Sequence, residues 1–191
     1  LNLSASTCQT PDLKILDNRL TQLPQAPNSL EVAAWRNLGE IMEFFGKIKA
    51  SELILGKLSQ RTLNQFDQGS VLLSLGKLKQ LKKENQEALT LYQKAAGISP
   101  EIATQFKAQL AQLNLLINLE QWQEAVEVIP FVKQSLSQLP LNQVKVYGQI
   151  QLADNLIKLQ DQQNNNFITE SLEFSQDPLK GAKTLNNQRI E

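Results

Sequence analysis

The sequence predicts an all-α fold, a solenoid of stacked antiparallel helix hairpins. Three observations carry that expectation. Apolar residues recur at three- and four-residue spacing along most of the 191 residues, the stripe of an amphipathic helix. Alternation of β-branched and polar residues is nowhere sustained, so strands find no support. One hairpin also returns imperfectly at steps of about 37 residues, from Ser51 to Ala88 to Ala125, and a fixed period of that size marks a repeat architecture.

In chain order, residues 1–10 have little pattern and read as a loose amino terminus. Residues 11–27 read as a partial unit. Leu13, Leu16, Leu20 and Leu23 point inward from one helix, which Pro24 and Pro27 terminate. Unit 1 spans 28–63. Asn28 with Glu31 forms a capping signature, Trp35, Leu38, Gly39 and Met42 mark its first helix, and Gly46 marks the turn. Ser51, Leu55 and Leu58 follow on the second helix.

Unit 2, 64–100, is the clearest. The polar run 64–70 reads as an insertion between repeats. Leu72, Leu75, Leu78 and Leu81 recur on one face around Gly76. A glycine in a helix interior costs about 1 kcal/mol against alanine, so close packing against another helix is expected there. A turn near 82–85 follows, with Asn85 as the expected cap and Glu87 in the favourable first turn. Ala88, Leu91, Tyr92 and Ala95 then form the second stripe, and Gly97 and Pro100 end it.

Unit 3 spans 101–138. Its first helix carries Ile102, Phe106, Leu110, Leu113 and Leu116, and Trp122 and Ala125 open the second. Pro130 falls inside that second helix, so a bend or early break is expected. Unit 4, 139–176, is degenerate. Val144, Gly148, Leu152, Leu156 and Leu159 give a long first helix, 160–166 reads as a loop, and 167–175 as the second helix. Asp177 and Pro178 start a last, truncated helix over 177–191.

The spacing of Leu75-Gly76, Ala88, Tyr92, Ala95 and Pro100, with Trp35, Leu38-Gly39 and Met42 before it, resembles the tetratricopeptide repeat. The resemblance implies a right-handed α-solenoid whose first helices line a concave surface. It implies exposed groove positions flanking the Leu-Gly pair. In unit 1 these are Arg36, Glu40 and Glu43; in unit 2, Leu73, Lys77 and Gln80. In units 3 and 4 they are Asn114, Asn118, Tyr147 and Asp154. This mixture of charge, amide and apolar contact suits an extended peptide or a protein loop. Trp35 and Trp122 occupy positions that suggest packing between helices.

Composition excludes several function classes. Nineteen basic and nineteen acidic residues leave no net charge, so neither nucleic acid nor an anionic membrane is expected as partner. The apolar runs are short and interrupted, so no transmembrane span or signal peptide is expected. The chain holds no histidine and one cysteine, Cys8, which removes Ser-His and Cys-His dyads and thiolate zinc clusters. The carboxylate pairs Glu40/Glu43 and Glu124/Glu127 read as solvated helix faces. No phosphate-binding loop occurs. Neither catalytic residues, cofactor nor metal is therefore expected, and the chain reads as a non-enzyme. Lys77, Lys79, Lys82 and Lys83 form a basic cluster that Glu84 and Glu87 offset. A solvated helix end is the simpler reading, an acidic docking patch the other. One cysteine fits a reducing compartment, so a soluble, cytoplasmic chain is favoured; an exported chain stripped of its leader would read the same. The chain begins at Leu1 rather than Met, which reads as a processed product or a piece of a longer polypeptide. Truncated solenoid ends would leave apolar faces open to self-association.

The runs WRNLGEIMEFFGKIKASELILGKL, GSVLLSLGKL, NQEALTLYQKAA, FKAQLAQLNLLINLEQW and VYGQIQLADNLIKL also resemble, in order and spacing, the repeat region of large cyanobacterial proteins ending in a CHAT domain, a caspase-like fold. That resemblance implies a non-catalytic, regulatory or targeting repeat portion of such a protease. Two expectations follow: a scaffold that binds a peptide or protein in its groove, or that repeat portion of a larger enzyme.

Overall fold

The computed structural model describes residues 12–163. Cys8, the expected helix over 167–175 and the one beginning at Pro178 lie outside the described residues. Those described form eight helices and no strand: α1 (Leu13–Thr21), α2 (Ser29–Phe44), α3 (Ile48–Ser59), α4 (Gln65–Leu81), α5 (Asn85–Ile98), α6 (Ile102–Asn118), α7 (Trp122–Gln138) and α8 (Gln143–Gln163). The all-helical class is as the sequence predicts. None of these helices is long and apolar enough to cross a membrane.

Three hairpins, α2–α3, α4–α5 and α6–α7, are closed by the same turn. The residue after the first helix's cap takes a left-handed backbone at Gly46, Lys83 and Glu120, with φ of 70°, 63° and 58°. In each turn its N–H and the next one fold back onto carbonyls of the last helical turn. The Lys47 N–H donates to the Met42 carbonyl, Glu84 to Lys79 and Gln121 to Leu116, at 2.7, 2.9 and 2.9 Å. These bonds satisfy carbonyls that a helix end otherwise leaves orphaned. The turns recur about every 37 residues, so the backbone carries the period the side chains announced.

Packing sets the layers. Helices α2, α4, α6 and α8 each touch the next in that series, whereas α3, α5 and α7 do not touch one another. The stack is therefore tighter on the α2–α4–α6–α8 side and splayed on the other. Among the described helices, α1 packs on α3 alone. One core spans α4 to α8 around Tyr92, Phe106, Leu113 and Leu152; a second, built on Leu20, Val32, Ile54, Leu58 and Val71, joins α1 to α4. Trp35 packs partly buried against the second core and Trp122 against the first.

Several local expectations are corrected. The run 64–70 is not an inserted loop: Asn64 caps α4, which begins at Gln65. Its polar residues are absorbed because Asp67, Gly69 and Ser70 are buried and Asp67 accepts two side-chain hydrogen bonds, as described below. Likewise α8 runs to Gln163 through the first part of the expected 160–166 loop. The cap of α5 is Glu84 rather than Asn85, which is its first helical residue. Pro130 does not break α7, which continues through it. The proline is exposed, and its missing N–H leaves the Val126 carbonyl without its intrahelical donor. Leu13, expected inside, is 40% exposed. The capping box of Asn28 and Glu31 forms with both reciprocal bonds present.

Candidate functional site

The tighter side of the stack carries a groove of about 370 Å³ between α2, α4 and α6. Arg36 and Glu40 come from α2, Leu73 and Lys77 from α4, and Thr104 and Lys107 from α6. Helix periodicity explains the selection. Residues three and four apart share a face, and the 36/40 and 73/77 pairs face across the α2–α4 seam.

The charges there are unequally engaged. Each acid accepts from an uncharged side chain. Glu40 accepts from the Ser74 hydroxyl at 2.5 Å. Glu101 accepts from the Thr104 hydroxyl at 2.5 Å. Asp67 accepts from the Ser29 hydroxyl and the Asn64 amide, both at 2.6 Å. The cations differ. Arg36 donates to its neighbour Asn37 at 3.0 Å, and its Nε is buried with no partner. Lys77 and Lys107 are exposed and form no direct ion pair among the described residues. Burial raises the Glu43 carboxyl above its ordinary value, against the opposing pull of Lys77. Burial, with a smaller push from Glu43, likewise raises Tyr92, whose hydroxyl donates to Gln80 at 2.6 Å.

The structure thus gathers Arg36, Glu40, Leu73 and Lys77 in one groove. Leu73 is only 6% exposed and belongs to its floor. Glu43 lies close enough to Lys77 and Glu40 to feel both charges. Gln80 is occupied by Tyr92. Asn114 accepts from the Asn155 amide at 2.5 Å, tying α6 to α8. Asn118, Tyr147 and Asp154 are exposed but line no part of this groove. Asp154 pairs with Lys158 at 2.6 Å along its own helix.

No protein-family model, curated protein or solved structure matches the chain. The site therefore stands on its geometry.

Lys107, Thr104 and Asp67 were not among the expected groove residues, although a signal existed. The same step of about 37 residues leads from Ala33 to Ser70 to Lys107 and from Asp67 to Thr104, and all five line the groove. Reading only the positions that flank Leu-Gly missed the helical turn before them. The basic cluster is also resolved into parts. Lys79 and Lys82 close a clasp with Glu52 of α3 and Glu84, and Glu87 joins it through Lys79. Hydrogen bonds from Lys79, then Lys82, hold the Glu84 carboxyl below its usual value. Only Lys77 of that cluster faces the groove.

Proposed function

We propose that the chain is a protein-interaction scaffold of tetratricopeptide-like hairpins, and that the α2–α4–α6 groove binds an extended segment bearing carboxylates. The supporting observation is the inequality of its charges: every groove acid is taken by a hydroxyl or amide donor, while Arg36, Lys77 and Lys107 form no direct ion pair among the described residues, Lys77 feeling only the Glu43 charge at longer range. An incoming carboxylate would accept from an Arg36 Nε that has no partner now, and charge-assisted bonds of this kind are the stronger ones. Leu73, Phe66 and Val32 add apolar floor between the charges. The chain acts by binding rather than by turnover, through a peptide or protein partner and not nucleic acid.

Panning a randomised peptide library against the purified chain tests this. Acidic sequences should be enriched, and Arg36→Ala/Lys77→Ala/Lys107→Ala should weaken the best of them by roughly tenfold or more. Enrichment without acidic bias, or an unaffected triple variant, rejects the groove.

The resemblance to repeat regions that precede a caspase-like domain supports a second reading, as the regulatory portion of a larger protease. The absence of histidine would place the catalytic dyad elsewhere in that polypeptide. An antibody against this chain should then detect a native species much larger than 21.5 kDa; a species near that mass rejects the reading.

A further inference from the structure

The splayed side of the stack holds a second site, chemically unlike the first. Between the outer helices α5 and α7, with α6 as floor, lies a cleft of about 490 Å³. Five glutamines line it: Gln86 and Gln93 on one wall, Gln109 and Gln112 on the floor, and Gln121 at the α6–α7 turn. Among the described residues, the only charged groups lining it are Glu124 and Glu127. Both are exposed, and neither forms an ion pair among the described residues. Phe131, 58% exposed, stands at the same wall one turn further along α7. The Gln121 Oε1 is buried and has no hydrogen-bond partner, whereas the Gln109 Oε1 accepts from Ser135 at 2.6 Å.

We infer that this cleft is a docking site for an extended, arginine-bearing peptide segment. The carboxylates call for a cation, and no described residue lining the cleft supplies one. Arginine fits better than lysine. Its planar fork matches carboxylate and amide oxygens together, and it stacks on an aromatic face such as that of Phe131. The glutamines argue for a peptide rather than a free polyamine. Each side-chain amide offers two donors and an acceptor, which an extended backbone can answer with its own C=O and N–H; a polyamine answers with donors alone. Leu89, Leu116 and Val128 give the arginine stem apolar contact. This site is distinct from the inner groove: its described lining holds carboxylates and no cation, and it shares only α6 with that groove, through different residues of the helix.

The test is calorimetric titration of the unmodified chain with a blocked Gly-Arg-Gly-Arg-Gly peptide. Saturable binding is expected, weakened by roughly tenfold or more in Glu124→Gln/Glu127→Gln. Both positions are exposed, and the helical circular-dichroism spectrum should be unchanged. Asp17→Asn/Asp154→Asn removes as much charge elsewhere and should bind as the parent does. The chain has no net charge, so bulk attraction cannot imitate the effect. The inference is overturned if the parent shows no saturation, if the Glu124/Glu127 variant or a citrulline-substituted peptide binds equally well, or if spermidine binds as tightly as the peptide. That last result would reassign the cleft to free polyamines.

Discussion

Gly76 and Gly56 are both helical glycines, but their surroundings give them opposite roles. A Cβ on Gly76 would stand 2.6 Å from the Tyr92 ring. That ring is fully buried and held by its bond to Gln80, so it cannot move aside cheaply. Gly76→Ala should therefore destabilise by about 1–3 kcal/mol, as overpacking does. Around Gly56 nothing beyond its chain neighbours and its own helix backbone lies within 4 Å of such a Cβ. Gly56→Ala should instead gain about 1 kcal/mol from helix propensity. Denaturant midpoints of the two variants check the pair; shifts of the same sign would show that the Tyr92 contact is not what holds Gly76. The packing role of Gly76 was legible because it follows a leucine in a helical stripe and precedes a small-residue stripe. The role of Asp67 was not. An acid in a polar run reads as solvated, and only the fold brings the Ser29 hydroxyl to it across helices.

At the level of elements, the hairpin turn is the repeated unit, and it is better built once than three times. Gly46 adopts its left-handed φ freely, whereas Lys83 and Glu120 hold the same conformation with a Cβ. For an L-residue that region costs roughly 1–2 kcal/mol. Glu120 is exposed and its side chain makes no bond in the turn, so Glu120→Gly should stabilise the α6–α7 hairpin by about 1 kcal/mol. Thermal melts of the variant and parent decide this; a lower midpoint would mean that the glutamate side chain contributes something its surroundings do not reveal. Most helices were legible because their stripes are long and their ends carry caps, as at Asn28 and Glu31. The failures share one physical cause. Local polarity at 64–70 and 160–163 suggests loops, but both stretches are helical; at 64–70 the polar side chains are bonded or solvated on one face while neighbours pack on the other. Of the groove, the 36/40 and 73/77 positions were legible from the Leu-Gly register. The α6 members Thr104 and Lys107 were not, because they stand one period after Asp67 and Ser70, a helical turn before the positions that flank Leu-Gly.

For the whole molecule, the decisive fact is that the core is divided. Leu20, Val32, Ile54, Leu58 and Val71 join α1 to α4, while the larger cluster runs from α4 to α8 and includes no residue of α1, α2 or α3. Both α2 and α3 touch α4 and no later helix. In a stack of this kind stability is close to a sum of unit and nearest-neighbour contributions. Leu20 is completely buried, so Leu20→Ala should cost about 2–5 kcal/mol at its site. That loss should be spent locally, by opening α1 to α3. Hydrogen exchange should therefore accelerate in those helices while amides of α6 and α7 keep the protection of the parent. A uniform acceleration from α1 through α8 would mean that the two cores unfold as one, through Leu55, Leu75 and Leu78, which link α3 to α4. The distinction bears on the proposed binding. If the amino-terminal hairpin opens independently, Arg36 leaves the groove while Lys77 and Lys107 stay in place. An acidic segment would then lose one of its three cations without the rest of the molecule unfolding, and Leu20→Ala should weaken its capture while leaving the α5–α7 cleft unaffected.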